Sequence, residues 1–157
     1  MIDAKRRILL KGSLAAGSVG VAVGAGLLSP RLVLADWNEA AFGAKDVPSA
    51  LSGLLGGDAT ETSEDISIKA PDIAENGAVV PVTVETAMEG VTAIAIIASG
   101  NQTPLIAAFD LGESAMPFIS TRIKMAKTAD VMAVVKVGDK LYSNTKSVKV
   151  TIGGCGG

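Results

Sequence analysis

Thr92-Ala93-Ile94-Ala95-Ile96-Ile97-Ala98 is apolar at every position after the first. A run of this length, rich in Ile and followed by the turn pair Gly100-Asn101, reads as a central strand. Short β-segments surround it. Before it, Ile66 to Ala70 alternates. Val79-Val80-Pro81-Val82-Thr83-Val84 is β-branched, with Pro81 marking an edge strand or a bulge. After it come Leu105 to Leu111, Phe118 to Met125 and Asp130 to Val137. Gly138-Asp139 turns tightly into Lys140-Leu141-Tyr142. Ser147-Val148-Lys149-Val150-Thr151-Ile152 closes the series with strict alternation, and Asn76-Gly77 marks a further turn. Seven or eight strands at this spacing predict an all-β fold, an immunoglobulin-like β-sandwich over 61–152.

Short N-terminal helices are expected over 36–60. Trp37, Ala40, Ala41 and Phe42 place apolar groups at helical spacing, and Trp37 and Phe42 are expected to pack onto the domain. Val47 to Leu55 reads as a second short helix, stopped by Gly56-Gly57. The acid clusters Ser63-Glu64-Asp65 and Asp72 with Glu75 read as solvated loop faces. Arg122, Lys124 and Lys127 alternate along a strand and its following turn, and read as one solvated or interfacial face. Exposed apolar residues within 79–98 are the candidate partner-binding face.

Composition narrows the chemistry. The chain has 157 residues, one cysteine and no histidine. A structural zinc site cannot be assembled from these residues. A Cys-His or Ser-His-Asp catalytic set is likewise impossible, and so is an internal disulfide. No basic stripe with interleaved aromatics points to nucleic acid. There is no phosphate loop and no dinucleotide fingerprint.

Residues 1–35 read as a signal peptide of the twin-arginine type. Lys5-Arg6-Arg7-Ile8-Leu9-Leu10-Lys11 supplies the basic region and resembles a twin-arginine motif, with Lys5 and Leu9 standing where Ser or Thr and Phe are usual. An Ala-, Gly- and Val-rich stretch from Gly12 to Leu28 follows, then Val33-Leu34-Ala35, which suits signal peptidase. Cleavage there removes five basic residues and one acidic one. The remainder keeps nine basic and fifteen acidic residues, a net charge near −6, and no membrane segment.

The sole thiol lies in the terminal Gly153-Gly154-Cys155-Gly156-Gly157. Glycine pairs on both sides favour no single conformation, so 153–157 is expected to be a flexible arm. An extended residue spans roughly 3.3–3.6 Å, so Cys155 reaches roughly 10 Å beyond the last ordered residue. The final strand is expected to run to Ile152, giving this arm a rigid base. A thiol reacts as its thiolate and titrates near about pH 8.5, and nothing nearby in sequence lowers that value. Chemistry on Cys155 then needs an outside enzyme or oxidant, which is the logic of a carrier rather than of an enzyme. The rival classes are an exported β-sandwich module whose cysteine only cross-links a dimer, and a thiol enzyme that turns over alone.

The terminal Gly-Gly-Cys-Gly-Gly resembles the hallmark of the SoxY family, the sulfur carrier subunit of the bacterial thiosulfate-oxidising (Sox) system. Three further stretches look like blocks of that family: Ile68 to Pro81, Thr121-Arg122-Ile123-Lys124-Met125-Ala126, and Val148 to Ile152. Gly100-Asn101-Gln102-Thr103-Pro104 departs from the Asn-Pro-type loop of the family. The resemblance implies a periplasmic, non-catalytic carrier without a resident cofactor, paired with a SoxZ subunit. It implies that Cys155 is the covalent attachment point, with Gly153, Gly154, Gly156 and Gly157 forming the arm that enters each enzyme. Those enzymes are the conjugating cytochrome SoxAX, the hydrolase SoxB and the sulfane dehydrogenase SoxCD. Cys155 would become an S-thiosulfonate and then a persulfide.

Overall fold

The computed structural model describes residues 38–152. The expected signal peptide over 1–35, Trp37 and the expected arm over 153–157 lie outside the described residues. Two helices, α1 (Glu39–Gly43) and α2 (Val47–Leu55), precede nine strands: β1 (Glu61–Thr62), β2 (Ile66–Lys69), β3 (Ile73–Ala74), β4 (Val80–Thr86), β5 (Val91–Ala98), β6 (Leu105–Asp110), β7 (Phe118–Ile123), β8 (Ala129–Val137) and β9 (Lys140–Val150). The larger sheet runs β1-β9-β8-β5-β6, and β3 also pairs with β9; the smaller is β2-β4-β7. The two sheets make the expected sandwich.

The apolar run opens into β5, and its lack of alternation has a structural cause. Ile94, Ile96 and Ala98 face the core between the sheets, with Val131, Ala133 and Val135 of β8 and Val80, Val82, Val84 and Ile123 of the smaller sheet. Ala93, Ala95 and Ile97 face the other way and form a second core with Ala41, Ala50, Leu51 and Leu55 of the helices. A strand covered on both faces needs apolar residues at both parities. Phe42 packs against this second core, as expected.

The helices are short, so capping and docking hold them. Asn38 Oδ1 accepts from Ala41 N–H at 3.0 Å, and its Nδ2 donates to the Gly53 carbonyl at 2.7 Å. Asp46 caps α2 by accepting from Ser49 N–H at 2.8 Å and from Ser49 Oγ at 2.9 Å. The backbone donor, then the hydroxyl, favour the ionised form and hold the Asp46 carboxyl below its ordinary value. Gly56 ends α2 with φ +82°, and Lys136 Nζ of β8 donates to the Leu55 carbonyl at 3.0 Å. A cation at that end suits the helix dipole.

Two expectations are corrected. β4 is the central strand of the smaller sheet, not an edge or a bulge. β2 pairs with it only from Thr83 to Thr86, whereas β7 runs along it from Val80 to Glu85. Pro81 therefore lies beyond the end of β2, where β4 has one neighbour and a missing N–H costs no ladder bond. Second, Lys140 to Tyr142 and Ser147 to Ile152 are not separate strands. Lys140 to Val150 form one strand, β9, paired with β8 from Lys140 to Val148. Its polar middle is satisfied sideways: Ser143 Oγ donates to Thr60 Oγ1 at 3.0 Å and Asn144 Nδ2 to the Ile66 carbonyl at 2.6 Å. The hairpin from β8 to β9 turns on Gly138, φ +57°, in the first central position that a type II′ turn reserves for glycine.

Candidate functional site: the base of the terminal arm

Cys155 and its four glycines lie outside the described residues, so the site is built from the segment that carries them. Regular pairing of β9 stops at Val150, two residues short of the expected end. The next two residues are bends, yet hydrogen bonds still fasten them. Thr151 N–H donates to the Ala74 carbonyl at 3.0 Å, and Thr151 Oγ1 donates to the Glu75 carbonyl at 2.9 Å. Gly77 N–H donates to the Ile152 carbonyl at 2.8 Å, and the Gly77 carbonyl accepts from Met125 N–H at 2.7 Å. Thr128 Oγ1 accepts from Val150 N–H at 2.9 Å. Main-chain order is thus secured through the carbonyl of Ile152, three residues before the cysteine.

Each anchor has a local reason. β3 lies parallel to β9 with Ile73 opposite Lys149 and Ala74 opposite Val150, which delivers the Glu75 and Gly77 backbone to the end of β9. Asn76 bends the chain there by accepting from Ala78 N–H at 2.9 Å through its own Oδ1. The Asn76-Gly77 turn was legible; its bond to the chain end was not, since nothing in sequence pairs positions 75 residues apart. The segment 124–126 is clamped from the other side. Asn101 Nδ2 donates to the Lys124 carbonyl at 2.7 Å, and Asn101 Oδ1 accepts from Ala126 N–H at 2.8 Å. Gly100 beside it allows the approach, because a Cβ there would lie 2.5 Å from the Ala129 Cβ.

Asn101 is thereby more than a turn residue. Asn101→Leu is expected to lower stability by about 2 kcal/mol, since it leaves a carbonyl and an N–H without partners at a largely buried position. Urea unfolding checks this, with the midpoint falling and the slope unchanged.

The apolar face expected within 79–98 is narrower than supposed. β5 is covered on both faces, and Val80, Val82 and Val84 point into the core. Val79 and Pro81 remain exposed there. Among the described residues, the large exposed apolar side chains are Ile73, Val79, Met116, Phe118 and Ile152. Ile73, Val79 and Ile152 belong to the segments at the arm's base. Phe118 lies at the opposite end of β7. Of the acidic stretches, Asp65 accepts from Ser63 Oγ and Asp72 pairs with Lys146 at 3.0 Å. Among the described residues, no three His, Cys, Asp or Glu gather to hold a metal ion. No described helix is long and apolar enough to cross a membrane.

Comparison with known proteins matches this framework. The family model for the sulfur oxidation protein SoxY matches residues 51–155, a span that ends on Cys155 itself. Among solved structures, the chain is similar to the sulfur carrier protein SoxY from Chlorobium limicola f thiosulfatophilum. Identity is 46%, covering 66% of this chain and 94% of that one, with a TM-score of 0.60. No curated protein matches the chain. With the family model covering the sandwich, the fastened end of β9 and the terminal cysteine together, the chain belongs to the SoxY family of sulfur oxidation proteins.

Proposed function

We propose that this chain is a periplasmic sulfur carrier, with thiosulfate-derived sulfur held covalently on Cys155 and presented on the arm 153–157. The observation that carries this reading is the family match running through to Cys155, the single thiol of the chain. The fastening of Ile152 supports it, because the arm then has a fixed origin. In this reading residues 1–35 are the twin-arginine-type leader, 36–60 the helical segment and 61–152 the sandwich. A SoxZ subunit is the stable partner.

The chemistry follows from a thiol with no activating neighbour in sequence. An unperturbed thiol, near about pH 8.5, is mostly protonated at neutral pH. Joining that thiol to thiosulfate through an S–S bond releases two electrons, so loading needs a partner that accepts them. Cys155 thiolate and the outer sulfur of thiosulfate join through a new S–S bond, and two electrons leave to a c-type cytochrome complex, SoxAX. Water then attacks the terminal sulfonate sulfur in the hydrolase SoxB. The S–S bond to that sulfur breaks, sulfate leaves, and a persulfide stays on Cys155. A sulfane dehydrogenase, SoxCD, oxidises that outer sulfur further. The chain itself supplies attachment and presentation.

Intact mass of the periplasmic protein from cells given thiosulfate tests this. A chain starting at Asp36, with a sulfur-bearing adduct on Cys155 that reductant removes, is the expected result. A bare thiol, or a homodimer joined through Cys155, would overturn the carrier reading and favour a cross-linking module.

A further inference from the structure

The chain has four asparagines, Asn38, Asn76, Asn101 and Asn144, and one of them, Asn76, precedes a glycine. Asparagine is a chemically labile residue, and a glycine after it leaves the next amide nitrogen with no Cβ to crowd it. The other three are tied at both ends of the side chain. Asn38, Asn101 and Asn144 each accept through Oδ1 and donate through Nδ2. Asn76 accepts from Ala78 N–H through Oδ1, and among the described residues nothing bonds its Nδ2. The residue is exposed, so water reaches this amide.

The backbone nitrogen beside it is held differently. Gly77 is buried. Its N–H donates to the Ile152 carbonyl at 2.8 Å, and its carbonyl accepts from Met125 N–H at 2.7 Å. An amide nitrogen fixed in this way cannot give up its proton to water and turn on the neighbouring side chain. Attack on Asn76 waits for a local opening in which Ile152 lets go. Thr151 opposes that opening. Its N–H bonds the Ala74 carbonyl, and its Oγ1 bonds the carbonyl of Glu75, the residue before Asn76. The electrophile and its leaving group thus stand in water, while the nucleophile is locked to the segment that follows β9.

We propose that Asn76 is a deamidation site restrained by the Gly77–Ile152 hydrogen bond, and that its conversion to isoaspartate unfastens Ile152. Once released, Gly77 N loses its proton and attacks Asn76 Cγ. The N–Cγ bond forms, the Cγ–Nδ2 bond breaks, and Nδ2 takes up a proton and leaves as ammonia. Water then opens the succinimide at either carbonyl, giving aspartate or isoaspartate, and nothing is oxidised or reduced. Isoaspartate routes the main chain through Cβ and Cγ, which lengthens it between residues 76 and 77. The Gly77 N–H and C=O then no longer meet Ile152 and Met125 together. A new carboxylate also appears beside Glu75. The reaction is the same whatever Cys155 carries.

Peptide mapping tests this on the exported chain, with any bound subunit retained. The chain is incubated at mildly alkaline pH, folded or in urea, and aspartate and isoaspartate at position 76 are measured over time. An isoaspartate-specific carboxyl methyltransferase marks the second product. Conversion in the folded chain should be at least about tenfold slower than in urea. Thr151→Val removes the hydroxyl bond to Glu75 and should speed the folded reaction about fivefold. Ile97→Ala, which weakens the core beneath α2, should leave the rate unchanged. Amide exchange at Gly77 and Met125 should quicken in the isoaspartate form and stay slow in Asn76→Asp, whose main chain is unaltered. Equal rates folded and in urea, a wild-type rate in Thr151→Val, an equal rise in Ile97→Ala, or unchanged exchange in the isoaspartate form would each overturn the proposal.

Discussion

Cys155→Ser is expected to abolish thiosulfate-dependent loading while leaving the fold as stable as before. The two halves of this result have separate causes. An alcohol cannot be joined to thiosulfate by two-electron oxidation to an S–S bond, and the chain holds no second cysteine to take over. The adduct seen by intact mass should vanish entirely, not decline. Stability rests elsewhere. Among the described residues both cores close within 41–148, and the last terminal hydrogen bond is at the Ile152 carbonyl. Substitutions away from cores and hydrogen-bond networks cost within about 0.5 kcal/mol, so the unfolding midpoint should hardly move. An adduct that persists in Cys155→Ser would put the attachment point on another side chain. A marked fall in thermal midpoint would mean that the terminus is part of the folded body and not a presented arm.

The strands were legible because their residues carry local signals. Turn pairs such as Gly138-Asp139 bound the segments, and the continuous apolar run of β5 marked a central strand. What failed was anything set by distant pairing. Pro81 suggested an edge because the rule concerns a lost N–H. Only the register shows that β2 stops before reaching it. The middle of β9 looked like a break because Ser143, Asn144 and Thr145 are polar. The partners of Ser143 and Asn144, Thr60 and the Ile66 carbonyl, come from about 80 residues away. The candidate site shows the same division. The cysteine and its glycines stand out in any reading of the chain end. The base that fixes the arm's origin depends on Thr151, Gly77 and Thr128, ordinary residues until the fold brings them together.

The two-sided burial of β5 yields the largest expected change in stability. Ile96 and Ile97 are adjacent in sequence and both fully buried, but they occupy different cores. Ile96→Ala opens a cavity between the sheets. Ile97→Ala opens one beneath α2. Each should cost about 3 kcal/mol, the usual toll of lost transfer energy plus an unfilled cavity. That is a large share of the roughly 5–15 kcal/mol that holds a domain folded. In an ordinary sandwich strand with a solvated outer face, one of two successive residues would be nearly silent. The helices are what make Ile97 matter, and a double-mutant cycle can show it. Leu51→Ala combined with Ile97→Ala should be non-additive by at least about 0.5 kcal/mol, since both side chains line the second core. Leu51→Ala combined with Ile96→Ala should be additive, because β5 itself separates the two cavities. If Ile97→Ala proves nearly neutral in urea unfolding, the N-terminal helices do not cover the larger sheet, and β5 has one working face.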